Sequence, residues 1–70
     1  MGGIGMTLGE QLTRLRKKNY YTQQELGNKL NISAQAISKW ENDLSEPDLA
    51  TLRKLAELYK ITLVEILEFN

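Results

Sequence analysis

"SAQAISKWEN", residues 33–42, is the stretch on which the reading of this chain turns. Ser33 is a strong helix N-cap, because its hydroxyl can accept an N–H that the first helical turn leaves unpaired. Behind it stand two bulky apolar residues, Ile37 and Trp40, three apart; the other side chains are mostly small or polar. At about 100° per residue, with Ile37 set inward, Ser33, Ala34, Trp40 and Glu41 lean toward the interior. Gln35, Lys39 and Asn42 point away, and Ser38 lies at the flank. A helix this short buries one side and shows the other. The shown side is either an ordinary solvated face or a surface that touches a partner.

The residues upstream place this helix against another. "Leu30-Asn31-Ile32-Ser33" ends one helix and caps the next within a few residues. Asn31 tolerates the left-handed backbone that stops a helix. Two short helices joined so tightly cross at a steep angle, and the small residues Gly27 and Ala36 stand where they would touch. Three further starts carry the capping box, in which a Thr hydroxyl and a Glu carboxylate each take an orphan N–H: Thr7–Glu10, Thr22–Glu25 and Thr62–Glu65. Asp48, after the single proline Pro47, is a fifth start. Apolar residues recur at helical spacing along the chain and no stretch alternates with period two. The expectation is an all-α chain with helices at about 7–18, 23–30, 34–42, 49–59 and 63–69, forming one domain over residues 7–69. Residues 1–6 read as an N-terminus that is disordered or left from cloning, with Met6 as the natural start.

Composition narrows the function. The chain has 70 residues, no cysteine and no histidine. That removes disulfides, thiolate metal sites, the commonest metal ligand and the commonest general base. No phosphate-binding loop is present. The expectation is no enzyme, no cofactor and no metal. No apolar run reaches the roughly 18 residues of a membrane span, and the N-terminus lacks the pattern of a signal peptide, which points to a cytoplasmic protein without membrane contact. The net charge is zero but unevenly placed: residues 1–40 hold six basic and two acidic side chains, residues 41–70 three and seven. Such a chain can turn a positive face to a polyanion, or the split can be chance among solvated charges.

"LGEQLTRLRKKNYYTQQELGNKLNISAQAISKWEN" and "PDLATLRKLAELYKITLVEIL", together spanning residues 8–67, resemble the phage-repressor and Cro-type helix-turn-helix regulators, the XRE family. The resemblance rests on several elements at matched spacing: "LRKKN", "TQQEL", "ISAQAISKWEN", Pro47 six residues after Glu41, and "KLAELYKIT". It implies a compact five-helix, lambda-repressor-like fold and a transcriptional regulator that binds double-stranded DNA, a repressor acting as a homodimer on a palindromic operator. Ala34, Gln35, Ser38 and Lys39 would then read bases in the major groove. Gln can pair with adenine, Lys can donate to guanine, and the Ala methyl can touch that of thymine. Gln23, Ser33, Asn42 and Lys17 would meet the phosphate backbone, and Gln23 would also brace the third helix. Arg16 and Glu41 would form a buried structural ion pair. Arg14, Lys17 and Lys18 read as solvated side chains, with Lys17 or Lys18 able to act on a phosphate at long range. Trp40 fits the core better than a stacking site; one of Tyr20 and Tyr21 would cover the core edge, and either hydroxyl could reach a phosphate. The last helix has more apolar residues than one face requires, so the excess would be covered either by a second copy, with Val64, Leu67 and Phe69 as dimer contacts, or by a further C-terminal domain.

Several departures from the family pattern stand out. Gly27 replaces a common Ala, at a cost on the order of 1 kcal/mol in helix stability. Asn31, Asp43 and Lys60 stand where relatives often carry Gly. The loop Asp43-Leu44-Ser45-Glu46 is acidic where relatives tend to be basic, which would remove phosphate contacts and add repulsion. That loop and the neutral charge leave two alternatives: an antitoxin that also binds a protein, or a protein-interaction module that no longer binds DNA.

Overall fold

The computed structural model describes residues 5–69. The expectation for residues 1–6 therefore lies, for residues 1–4, outside the described residues. Five helices follow one another: α1 Leu8–Lys18, α2 Gln23–Leu30, α3 Ala34–Glu41, α4 Leu49–Tyr59 and α5 Leu63–Leu67. No strand occurs among the described residues. All three capping boxes are made: Thr7, Thr22 and Thr62 each accept from the Glu three residues on, and each Glu side chain accepts the N–H of its Thr. Ser33 accepts from the Ala36 N–H at 3.1 Å and Asp48 from the Thr51 N–H at 2.8 Å.

Two helix ends fall short of expectation. α3 stops at Glu41, because Asn42 is its C-cap, with its amide N–H on the Ser38 carbonyl at 2.8 Å. α5 stops at Leu67, with Glu68 as C-cap. The next residue, Phe69, accepts at its carbonyl the Met6 N–H at 3.0 Å, so the chain there is tied to the start of α1 instead of continuing the helix.

The core gathers one apolar stripe from every helix. Leu12 and Leu15 of α1, Leu26 and Leu30 of α2, Ile37 and Trp40 of α3, Leu52, Leu55 and Tyr59 of α4, and Ile66 of α5 are all buried. Trp40 thus belongs to the interior. α3 packs against both α1 and α2, and α5 closes over α1 and α4. Gln11, only 1% exposed, is an unexpected polar member. Its amide donates to the Glu65 carbonyl at 3.2 Å, tying α1 to α5, and its oxygen accepts two bonds from Arg14 at 3.1 and 2.9 Å. Arg14 is exposed, but it is not merely solvated: it completes the hydrogen bonding of a buried amide, which would otherwise cost stability.

The α2–α3 turn shows why residue 27 is glycine. Asn31 adopts φ 59°, ψ 45° and its N–H bonds the Gly27 carbonyl, as does the Ile32 N–H at 2.8 Å. The chain folds back so closely that a Cβ at position 27 would collide with the Ile32 carbonyl oxygen. The expected helix-propensity cost of Gly27 is therefore offset: an Ala here would have to move backbone.

Candidate nucleic-acid interface

Side chains from α1 and α2 converge on the Glu41 carboxylate at the end of α3. Arg16 of α1 holds it by two bonds, Nε to Oε2 at 2.7 Å and Nη2 to Oε1 at 3.0 Å. The third Arg16 nitrogen, Nη1, donates to the Tyr21 carbonyl in the α1–α2 loop at 2.9 Å. Gln23, the first residue of α2, donates its amide to Glu41 Oε1 at 3.0 Å. The planar guanidinium suits this double contact where a lysine would not. Burial pushes the Glu41 carboxyl up, but the bonds from Arg16 and Gln23 outweigh it and hold the carboxyl below its ordinary value. The pair is almost fully enclosed, with side chains 10% and 6% exposed.

This hub clamps the inner side of α3 and leaves its outer side open. Gln35 and Lys39 are exposed, and Ala34, Ala36 and Ser38 are half-buried. The short side chains at 34, 36 and 38 keep the helix slim on the flanks of that face. Gln23 is half-buried beside the hub, and Ser33 is exposed at the α3 N-cap. Asn42 is exposed, with its amide turned back onto α3. Lys17 is exposed on the last turn of α1. The loop pair is resolved: the Tyr21 ring packs on the core, 6.4 Å from the Tyr59 ring, while Tyr20 stays 91% exposed. On α5, Val64 and Leu67 are exposed and Phe69, just past its end, is half-buried.

The first residue of the acidic loop, Asp43, is exposed yet has partners at the start of α1. Its Oδ2 accepts from the Thr7 hydroxyl at 2.7 Å and its Oδ1 from the Gly9 N–H at 2.9 Å. The carboxylate thus sits at the N-terminus of α1, where unpaired N–H groups and the helix dipole favour a negative charge. Glu46 remains exposed. Nothing local to residues 43–46 signals this pairing, since its partners lie 34 and 36 residues away. Gln11 could have been found: it stands three residues after Leu8 and four before Leu15, on the apolar stripe of α1.

Among the described residues, no helix is long and apolar enough to cross a membrane, and no group of three or more acidic side chains is placed to hold a metal ion.

A packed helix pair, α2 and α3, joined by a capped turn and followed by two more helices, matches the helix-turn-helix family over residues 12–66. The chain belongs to the XRE-type helix-turn-helix family. Its relatives are transcriptional regulators, not enzymes. The helix-turn-helix domain is 44% identical over 57 residues to the HTH-type transcriptional regulator ImmR of Bacillus subtilis, covering 81% of this chain and 45% of the relative. It is 34% identical over 62 residues to the HTH-type transcriptional activator BcrR of Enterococcus faecalis, covering 89% of this chain and 30% of that one. The chain thus spans less than half the length of these curated relatives. Among solved structures, the P22 c2 repressor in complex with a synthetic operator matches with a TM-score of 0.82 at 29% identity, covering 93% of this chain and 98% of the other. SinR in complex with DNA matches with a TM-score of 0.80 at 22% identity, covering 89% of this chain and all of the other, a likeness of fold alone.

Proposed function

We propose that the chain binds double-stranded DNA and represses transcription by occupying a palindromic operator as a homodimer. The carrying observation is the hub at Glu41, which fixes the start of α2 and the whole of α3 relative to α1 while Gln35 and Lys39 stay exposed. A reading head works only if its side chains are held in register with the duplex, and phosphate contacts supply that register. In this reading α3 enters the major groove. Gln35 pairs with adenine, Lys39 donates to guanine acceptors, and Ala34 and Ser38 touch neighbouring base edges, each good contact contributing about 1–3 kcal/mol of discrimination. The α2 N-terminus meets a phosphate, and Gln23 is positioned there by the bond it donates to Glu41. Ser33, Asn42 and Lys17 add backbone contacts.

Val64, Leu67 and Phe69 supply the contact between two copies. Val64 is 61% and Leu67 47% exposed, an apolar surface at one end of a small domain. Two-fold pairing there sets two α3 helices about 34 Å apart, one turn of DNA. The neutral total charge is compatible with binding, because the basic residues cluster before Trp40 and the Asp43 carboxylate is engaged by the α1 N-terminus.

Selection of duplexes from a random library at low salt tests the reading. It should return an enriched sequence with two half-sites related by inversion, and the affinity should fall steeply with salt. Recovery of no enriched sequence would sink the proposal in favour of a protein-binding role.

A further inference from the structure

Tyr20 has two features that neither the core nor the hub uses. Its backbone is held at φ 63°, the left-handed region that any residue with a Cβ adopts at a cost. Its side chain is 91% exposed and makes no hydrogen bond among the described residues. A glycine would close the same turn without strain, and a short polar residue would do so without placing an aromatic ring in water. Lys60 shares that backbone; what sets Tyr20 apart is an aromatic ring with a hydrogen-bonding hydroxyl left in water, a combination that points to a role outside the fold.

The position is rigid. The Tyr20 N–H donates to the Lys17 carbonyl at 3.0 Å and the Tyr21 N–H to the Arg16 carbonyl at 3.2 Å. The Asn19 amide donates to the Leu15 carbonyl at 2.7 Å. On the other side, the Tyr21 carbonyl is held by the same Arg16 guanidinium that grips Glu41 of α3. The Tyr20 backbone is thereby fixed relative to α3 through one side chain. Its setting is cationic. From Arg14 to Gln24 every charged side chain is basic, and Lys17 and Lys18 of the preceding turn are exposed. Glu25, the nearest acid along the chain, is turned back onto the Thr22 N–H at 2.9 Å. The chain then runs from Tyr20 directly into the α2 N-terminus.

We propose that the Tyr20 hydroxyl donates a hydrogen bond to a DNA phosphate next to the one met by the α2 N-terminus, and that the left-handed backbone is retained to aim it. This rests on the DNA-binding reading above. The phosphate is the anion this segment selects, because its exposed charges at Lys17 and Lys18 are positive and a phenol hydroxyl is a phosphate donor that carries no sequence information.

The test uses the duplex recovered by selection and a scrambled duplex of the same length, with thermal unfolding of each variant. Tyr20→Phe should leave the melting temperature unchanged and weaken binding to both duplexes by about tenfold, the loss of one hydrogen bond to a charged group. It should leave the salt slope unaltered because no charge is removed, whereas Lys17→Gln should lower that slope by about 1. Tyr20→Gly should raise the melting temperature yet also weaken binding, so that stability and affinity move in opposite directions. If both Tyr20 variants bind like the unaltered chain while Gln35→Ala still changes base preference, the Tyr20 assignment is wrong and the reading of α3 stands. A loss confined to the selected duplex would make Tyr20 a base reader and overturn the phosphate assignment. Failure of the unaltered chain to bind either duplex overturns both.

Discussion

Asp43 and Gly9 meet at 2.9 Å, a carboxylate from the loop after α3 accepting an N–H from the first turn of α1. The approach is close enough that a Cβ at Gly9 would lie 2.6 Å from the Trp40 carbonyl, 2.7 Å from Asp43 Oδ1 and 2.7 Å from the Glu41 carbonyl. Two of those three atoms are backbone and cannot swing aside. The absent side chain and the carboxylate are thus two halves of one joint, locking the α1 N-terminus onto the α3 C-terminus.

Gly9→Ala should therefore destabilise the domain by about 1–3 kcal/mol, the range for overpacking a tight contact. Asp43→Ala should cost about 1–2 kcal/mol by unpairing the Gly9 N–H and the Thr7 hydroxyl. Urea unfolding followed by circular dichroism reads both, as a lower midpoint at unchanged slope.

Asp43 and Lys60 share a left-handed backbone, with φ 58° at each, but should respond oppositely to glycine. Lys60→Gly relieves a side chain that makes no bond and should stabilise by about 1 kcal/mol. Asp43→Gly relieves the same strain but strips the α1 N-terminus of its partner, so it should gain nothing and lose stability. A rise in melting temperature for both variants would show that the Asp43 bonds contribute little.

The Glu41 carboxyl sits below its ordinary value, held by Arg16 and Gln23 against its burial. A depressed carboxyl stabilises the fold fully above its unfolded value and loses that contribution as pH falls through the lower, folded value. Acid should thus weaken the domain at and below the ordinary carboxylate range, and Glu41→Gln should flatten that part of the stability–pH curve. Removing the partner instead, as in Arg16→Met, strands an enclosed charge and should cost about 3–5 kcal/mol at neutral pH.

Tyr59 is 7% exposed and its hydroxyl has no hydrogen-bond partner among the described residues. Burial pushes that hydroxyl well above its usual range. Tyr59→Phe removes an unpaired polar atom and keeps the ring, so it should be neutral or stabilising by up to about 1 kcal/mol. A clear loss in calorimetry would reveal a bonded water behind the ring.

Gln35 and Gln23 should separate on DNA. Gln35→Ala should relax the preference at one base position of the selected duplex. Gln23→Ala should weaken all sequences alike, because its target is the backbone and its anchor is Glu41. Competition binding on single-base variants distinguishes the two patterns.

The chain's own sequence determined where helices begin. Caps and boxes at Thr7, Thr22, Ser33, Asp48 and Thr62 act over three or four residues, so their signal is complete within a short window. The apolar stripes that make the core, and the outward angle of Gln35 and Lys39, follow from the helical repeat in the same way. Helix ends were less legible, since α5 yields at Leu67 to the tie between Met6 and Phe69, contributed from the far end of the chain. Only the tertiary structure decided that Asp43 bonds the start of α1, that Gly9 and Gly27 are sites of backbone contact, that Gln11 joins α1 to α5, and that Tyr21 and not Tyr20 covers the core. Each of these depends on atoms brought together from elements that sequence spacing does not relate. A hydrogen bond or a steric limit acts over a few ångströms in space, whatever the separation along the chain.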